Sequence, residues 1–190
     1  MGGIVVDPGT QGGTNWYPPS YSPHTGLFYI PTWENSGSRS PKGDPGEWKE
    51  GQRYTGTGQL PGGRGAAAGG RGAAPGRGGR GPGRASANYK TEAEGYGAIR
   101  AVDPKTGEKK WDFKMVNYTE SGVLSTASDL VFGGGMEGNF VGLDARTGEM
   151  LWHVLLGGPS ASGPITYAVN GKQYLVATGE GTMYVFGLPD

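Results

Sequence analysis

The sequence predicts an all-β protein: a partial β-propeller of about two and a half to three four-stranded antiparallel blades. Three observations predict it. Short β-prone runs recur at roughly 8 to 12 residue spacing between turn sequences, the pattern of a sandwich, barrel or propeller. No stretch carries a helical period that would compete with them. Finally, "AVDPKTGEKKW" (101–111) returns as "GLDARTGEMLW" (142–152), matched at Asp103/Asp144, Thr106/Thr147, Gly107/Gly148 and Trp111/Trp152, each pair 41 residues apart. An interval of ~40 to 45 residues is the length of one four-stranded blade, and this selects the propeller.

Taken in order, residues 1–35 form the first propeller segment. Pro18, Pro19 and Pro23 exclude helix there and precede a strand at Leu27 to Thr32. Residues 36–87 form a long flexible, disordered Gly/Arg-rich insertion, in which Arg64, Arg71, Arg77, Arg80 and Arg84 stand among Gly, Ala and Pro. Such a stretch has almost no apolar surface to offset the entropy lost on ordering. Residues 88–190 hold the remaining blades. Strands are predicted at Ala98 to Val102, Trp111 to Met115, Val123 to Ala127, Leu130 to Phe132, Phe140 to Leu143, Leu151 to Leu155, Ile165 to Val169, Gln173 to Thr178 and Met183 to Phe186. The spacers between them are turn sequences such as Glu137-Gly138-Asn139, Asn170-Gly171 and Glu180-Gly181.

Composition narrows the chemistry. With 40 glycines, 14 prolines and 34% hydrophobic residues in 190, part of the chain lies outside any core. A formal net charge of zero gives the whole molecule no long-range field for nucleic acid or anionic membrane. Absence of cysteine excludes a disulfide framework, a thiolate metal site and a thiol nucleophile. No run approaches the ~18 apolar residues of a membrane span, and "MGGIVVDPGT" lacks the pattern of a signal peptide.

The repeated motif has a mechanical reading. Its Asp accepts backbone N–H bonds within the turn and its Gly supplies a positive φ, so the chain reverses into the next strand. The Trp four residues later is a flat ring with one polar N–H, suited to wedging between a blade and its neighbour's backbone. Trp111 and Trp152 are therefore read as structural.

An A-x-D-x-x-T-G-x-x-x-W element repeated blade by blade resembles the tryptophan-docking motif of the eight-bladed quinoprotein dehydrogenases of the methanol/ethanol type. "GGTNWYPPSYSPHTGLFYIP", "GAIRAVDPKTGEKKW", "SGVLSTASDLVFGGGMEGNFVGLDARTGEMLW" and "GPITYAVNGKQYLVATGEGTMYVFGLPD" are similar, in order, to that family's C-terminal portion. The second copy carries Gly142 where the first has Ala101, a substitution of one small residue for another.

The resemblance implies oxidation of a primary alcohol by hydride transfer to pyrroloquinoline quinone (PQQ), with calcium or a lanthanide as Lewis acid and a cytochrome c as electron acceptor. It implies a periplasmic setting. The Asn-Trp pair of the family's Gly-Gly-Thr-Asn-Trp stretch contacts the cofactor, which makes Asn15 and Trp16 the cofactor-binding residues here. Family members carry the catalytic base, the metal ligands and a cysteine pair upstream of that stretch. No catalytic or metal-binding residue is therefore assigned within this chain, and Asp7 is given no role. The chain is expected to be a C-terminal fragment, its partners being the remaining blades or a complementing chain.

Two rival readings are carried. One is a non-catalytic propeller of PQQ-like repeats that binds proteins, which would share Trp111 and Trp152 but has no need of "GGTNW". The other places function in the Arg-Gly segment as an RNA or polyanion binder; no aromatic residue stands between Arg64 and Arg84 for base stacking, which disfavours nucleic acid. His24 and His153, Gly133-Gly134-Gly135, the Asn117-Tyr118-Thr119 sequon, Ser125 and Ser128 are read as turn or strand residues.

Overall fold

In the computed structural model the chain is described over residues 3–9, 12–41, 46–51, 89–90 and 95–188. The arginine-rich stretch from Arg64 to Arg84 lies outside these residues. The strands are β1 (Gly3–Val6), β2 (Ser20–Ser22), β3 (Leu27–Glu34), β4 (Ser36–Pro41), β5 (Tyr89–Lys90), β6 (Tyr96–Val102), β7 (Lys109–Met115), β8 (Leu124–Ser125), β9 (Leu130–Gly134), β10 (Asn139–Asp144), β11 (Met150–Leu155), β12 (Ile165–Val169), β13 (Lys172–Gly179) and β14 (Thr182–Gly187).

Two four-stranded antiparallel sheets follow one another along the chain, β2-β3-β6-β7 and β8-β9-β10-β11, and a three-stranded sheet, β12-β13-β14, comes after them. This is the all-β blade architecture that the repeat predicts. A further small sheet, β1-β4-β5, was not legible in the sequence. The sequence reading starts the insertion at residue 36, whereas the backbone stays in strand to Pro41, because β1 pairs with it from Gly3↔Pro41 to Val6↔Ser38.

Both repeat turns are built alike. The Asp103 carboxylate accepts the Lys105 N–H at 2.9 Å, and Gly107, at φ 74°, returns its N–H to the Asp103 carbonyl. The Asp144 carboxylate accepts the N–H groups of Arg146 and Thr147, each at 2.8 Å, with Gly148 at φ 75°. Each hairpin also carries a register shift just before its aspartate, at Ala101/Val102 and at Gly142/Leu143. Such bulges increase local twist and aim the following strand.

Pro31 sits inside β3, which is flanked on both sides, and the geometry shows why it is tolerated. Pro31 is paired with Ile99 of β6, while β2 ends opposite Tyr29. The N–H of Trp33 points to the β2 side, towards the Gly13 carbonyl, so the missing N–H of Pro31 falls on that side, beyond the end of β2. Thr14 Oγ1 covers the spot by donating to the Pro31 carbonyl at 2.8 Å.

The first two sheets share a core of Leu27, Tyr29, Ile99, Val123, Val131, Val141 and Leu143. Trp111 seals it. Its indole N–H donates to the Ala145 carbonyl at 3.2 Å, and the Tyr29 hydroxyl reaches the same oxygen at 2.9 Å. A smaller core of Phe140, Leu156 and Ala177 joins the second sheet to the third. There Trp152 meets Phe186 edge-on at 5.2 Å and stays 38% exposed, against 9% for Trp111. It borders an apolar cleft of about 580 Å³ lined by Leu130, Phe132, Leu175 and Phe186.

Candidate functional site

The edge strands β2, β8 and β12 are each preceded by a loop, and the three loops meet at one end of the sheets. Val123 donates its N–H to the Pro18 carbonyl at 2.9 Å, and a Cβ added to Gly122 would lie 2.5 Å from Pro18 Cγ and 2.9 Å from Gly163 Cα. Only glycine permits that approach. Just inside, the Ser20 and Ser125 hydroxyls lie 2.7 Å apart and tie β2 to β8.

Asn15 and Trp16 stand on the first of these loops. Asn15 is half-buried, and its Oδ1 accepts the Trp16 N–H at 2.7 Å. Trp16 is 72% exposed, its ring inclined at 4.6 Å to that of Tyr17. Tyr17 in turn is buried at 5% and leads into a row of rings: Trp33 at 5.8 Å, and from Trp33 to Tyr118 at 5.2 Å. The loop thus turns a buried aromatic root into one outward-facing indole.

Sequence reasoning missed the neighbour of this pair. Burial, then the negative charge of Glu120 on the second loop, pushes the Tyr17 phenol up to about 12. The loop carrying Glu120 is pinned on both sides. Thr119 and Ser121 are each 1% exposed. Trp33 Nε1 donates to the Thr119 carbonyl at 2.6 Å, Thr119 Oγ1 donates to the Gly134 carbonyl at 2.6 Å, and Ser121 Oγ accepts the Gly134 N–H at 3.0 Å. Glu120, between two inward residues, is half-buried. Residues 17 and 120 are too far apart in sequence for any local pattern to have linked them.

The remaining candidates are structural in this fold. His24 lies in an exposed turn and His153 on the exposed face of β11. Gly133 and Gly134 are packed against Ile99 and Ser160, where a Cβ would come within 2.7 Å of a side chain in each case. The Asn117 N–H is held by Glu137, Ser125 by Ser20, and Ser128 is exposed in a turn. Among the described residues no group of three or more His, Asp or Glu could hold a metal ion. No described helix is long and apolar enough to cross a membrane.

Comparison with known proteins bears on these loops and sheets. The family profile described as outer membrane protein assembly factor BamB, of the PQQ repeat type, matches residues 95–187. The quinoprotein alcohol dehydrogenase PedE of Pseudomonas putida is 34% identical over 175 residues, which is 92% of this chain and 23% of that protein. A lanthanide-dependent methanol dehydrogenase of Methylacidiphilum fumariolicum is 28% identical, covering 96% of this chain and 26% of its own length. Among solved structures, a europium-containing methanol dehydrogenase superposes with a TM-score of 0.65 at 26% identity, covering 91% of this chain and 26% of that one. The chain therefore spans about a quarter of the length of the proteins it matches. Blade architecture, repeat and relatives together make this chain a homologue of the quinoprotein alcohol dehydrogenase propellers over about a quarter of their length.

Proposed function

We propose that these residues supply consecutive C-terminal blades of a PQQ-dependent dehydrogenase that oxidises primary alcohols. The observation that carries this reading is the Gly-Gly-Thr-Asn-Trp loop, which presents an exposed indole beside a half-buried amide where three edge-strand loops converge. Trp16 offers a flat face to a planar ring system, and Asn15 offers an amide beside it, donor and acceptor types that suit quinone and carboxylate oxygens. When bound, PQQ supplies a quinone that accepts a hydride from the alcohol. The part played by this chain is to bind and orient: Trp16 stacks, Asn15 hydrogen-bonds, and the Tyr17–Trp33–Tyr118 row holds both in place. Trp111 and Trp152 act as docking residues between blades.

The rest of the ring, with the base and the calcium or lanthanide ligands, comes in this reading from blades outside these residues. A cytochrome c takes the electrons, and the setting is periplasmic. Titration of the chain with PQQ and calcium or lanthanum, followed by quinone absorbance and tryptophan fluorescence, tests the proposal. Saturable binding lost in Asn15→Ala and Trp16→Ala is the expected result. A folded chain that binds no quinone would defeat it.

A further inference from the structure

Strand β3 loses its neighbour part-way along. The last pair between β2 and β3 is Ser20↔Tyr29, so from Ile30 onward that side of β3 has no strand beside it among the described residues. The Gly-Gly-Thr-Asn-Trp loop takes the place at two points: the Gly13 carbonyl accepts the Trp33 N–H at 2.7 Å, and Thr14 Oγ1 donates to the Pro31 carbonyl at 2.8 Å. We propose that Thr14 is a positioning residue of the quinone site, whose hydroxyl fixes the point on β3 from which Asn15 and Trp16 are presented. The inference rests on the reading that Asn15 and Trp16 carry the quinone.

Proline makes a side chain necessary at this point. In an antiparallel ladder alternate residues of a strand turn both N–H and C=O to the same neighbour, so Pro31 and Trp33 face the loop together. Trp33 brings both groups, whereas Pro31 brings a carbonyl and no N–H. A backbone strand laid along this edge would find no donor at Pro31 for its own carbonyl, and the regular ladder ends there. The Pro31 carbonyl still needs a donor, and a hydroxyl supplies one without a second backbone pairing. Thr14 provides it from the residue directly before Asn15. The N–H of Trp16 then turns to the Asn15 side chain at 2.7 Å. Gly13 and Thr14 thus hold the loop to β3, and the half-buried amide and exposed indole follow at once. Of the two tethers, only the Thr14 hydroxyl is set by side-chain identity.

The test titrates the wild-type chain, Thr14→Val and Thr14→Ser with PQQ and calcium, followed by quinone absorbance. Valine keeps the shape of threonine and removes the hydroxyl; serine keeps the hydroxyl. Thr14→Val is expected to weaken PQQ binding roughly three- to tenfold, the scale of one hydrogen bond, and Thr14→Ser to bind as the wild type does. Amide hydrogen exchange gives a second readout. In Thr14→Val the Trp16 N–H should exchange faster while Phe140 and Val141 of β10 keep their protection, whereas a general loss of stability would move those buried positions too. Wild-type affinity in Thr14→Val, or a loss in Thr14→Ser equal to that in valine, overturns the inference and leaves the quinone reading standing. So does weakened binding with exchange at Trp16 unchanged. Failure of the folded wild-type chain to bind PQQ defeats the quinone reading itself, and the inference falls with it.

Discussion

At the residue scale, two glycines with the same backbone have different surroundings. Gly107 and Gly148 share φ near 75°, but a Cβ on Gly107 meets nothing within 4 Å while one on Gly148 would lie 2.6 Å from the Trp111 ring. Gly107→Ala is expected to cost about 1–2 kcal/mol, the price of a left-handed alanine. Gly148→Ala is expected to cost about 1–3 kcal/mol more, because the indole must also move. Urea denaturation of the pair would measure the difference, and equal losses would show that the ring is not seated on that turn. The turn aspartates carry a pH signature as well. Asp144 is held below the usual carboxylate range first by the Thr147 N–H and then by the Arg146 N–H. A depressed folded value means that the stabilisation is complete above the unfolded value near ~3.9 and is lost as pH falls through the folded one. Asp144→Asn should therefore lower the urea midpoint at pH 7 and flatten its decline in acid.

At the scale of elements, the three edge-strand loops act as one packed unit, with Gly122 at the point of closest approach. Gly122→Ala would drive a methyl into Pro18 and Gly163, and it is expected to separate the loops and weaken near-ultraviolet dichroism from Trp33 and Tyr118. Unchanged dichroism would mean that the contact is compliant. How much of this was legible follows from what each element depends on. β6, β9, β10 and β13 are written in their own Val, Ile, Leu and Phe patterns, and the 41-residue interval between the two motifs sets the blade length. By contrast, β2 is Ser-Tyr-Ser between prolines and becomes a strand through pairing with β3 and the Ser20–Ser125 contact. The exposed position of Trp16 on a buried root was not readable either, since it depends on Trp33 and Tyr118 arriving from other elements. The influence of Glu120 on Tyr17 was hidden for the same reason: the two stand on loops more than a hundred residues apart in sequence.

At the scale of the molecule, the third sheet differs from the first two. Among the described residues β14 is paired on one side only. It carries no charge and no proline, and Met183 and Val185 on it are 67% and 46% exposed. Natural edge strands are usually blunted by charge or proline, so an unguarded one is a site for pairing with another strand. The isolated chain is expected to self-associate with rising concentration in sedimentation velocity, and Val185→Lys to suppress this; a monomer at all concentrations would contradict it. The small sheet on β1 bears on the molecule in another way. Glu34 of β3 pairs directly with Tyr96 of β6, and Ser36 of β4 with Lys90 of β5, so the chain leaves the first blade and re-enters it at adjacent positions. The blade thus has no stake in the length of what lies between. A reporter domain grafted between β4 and β5 is therefore expected to leave the strand register of the blade as it is, and a loss of the near-ultraviolet dichroism of the blade on grafting would contradict this.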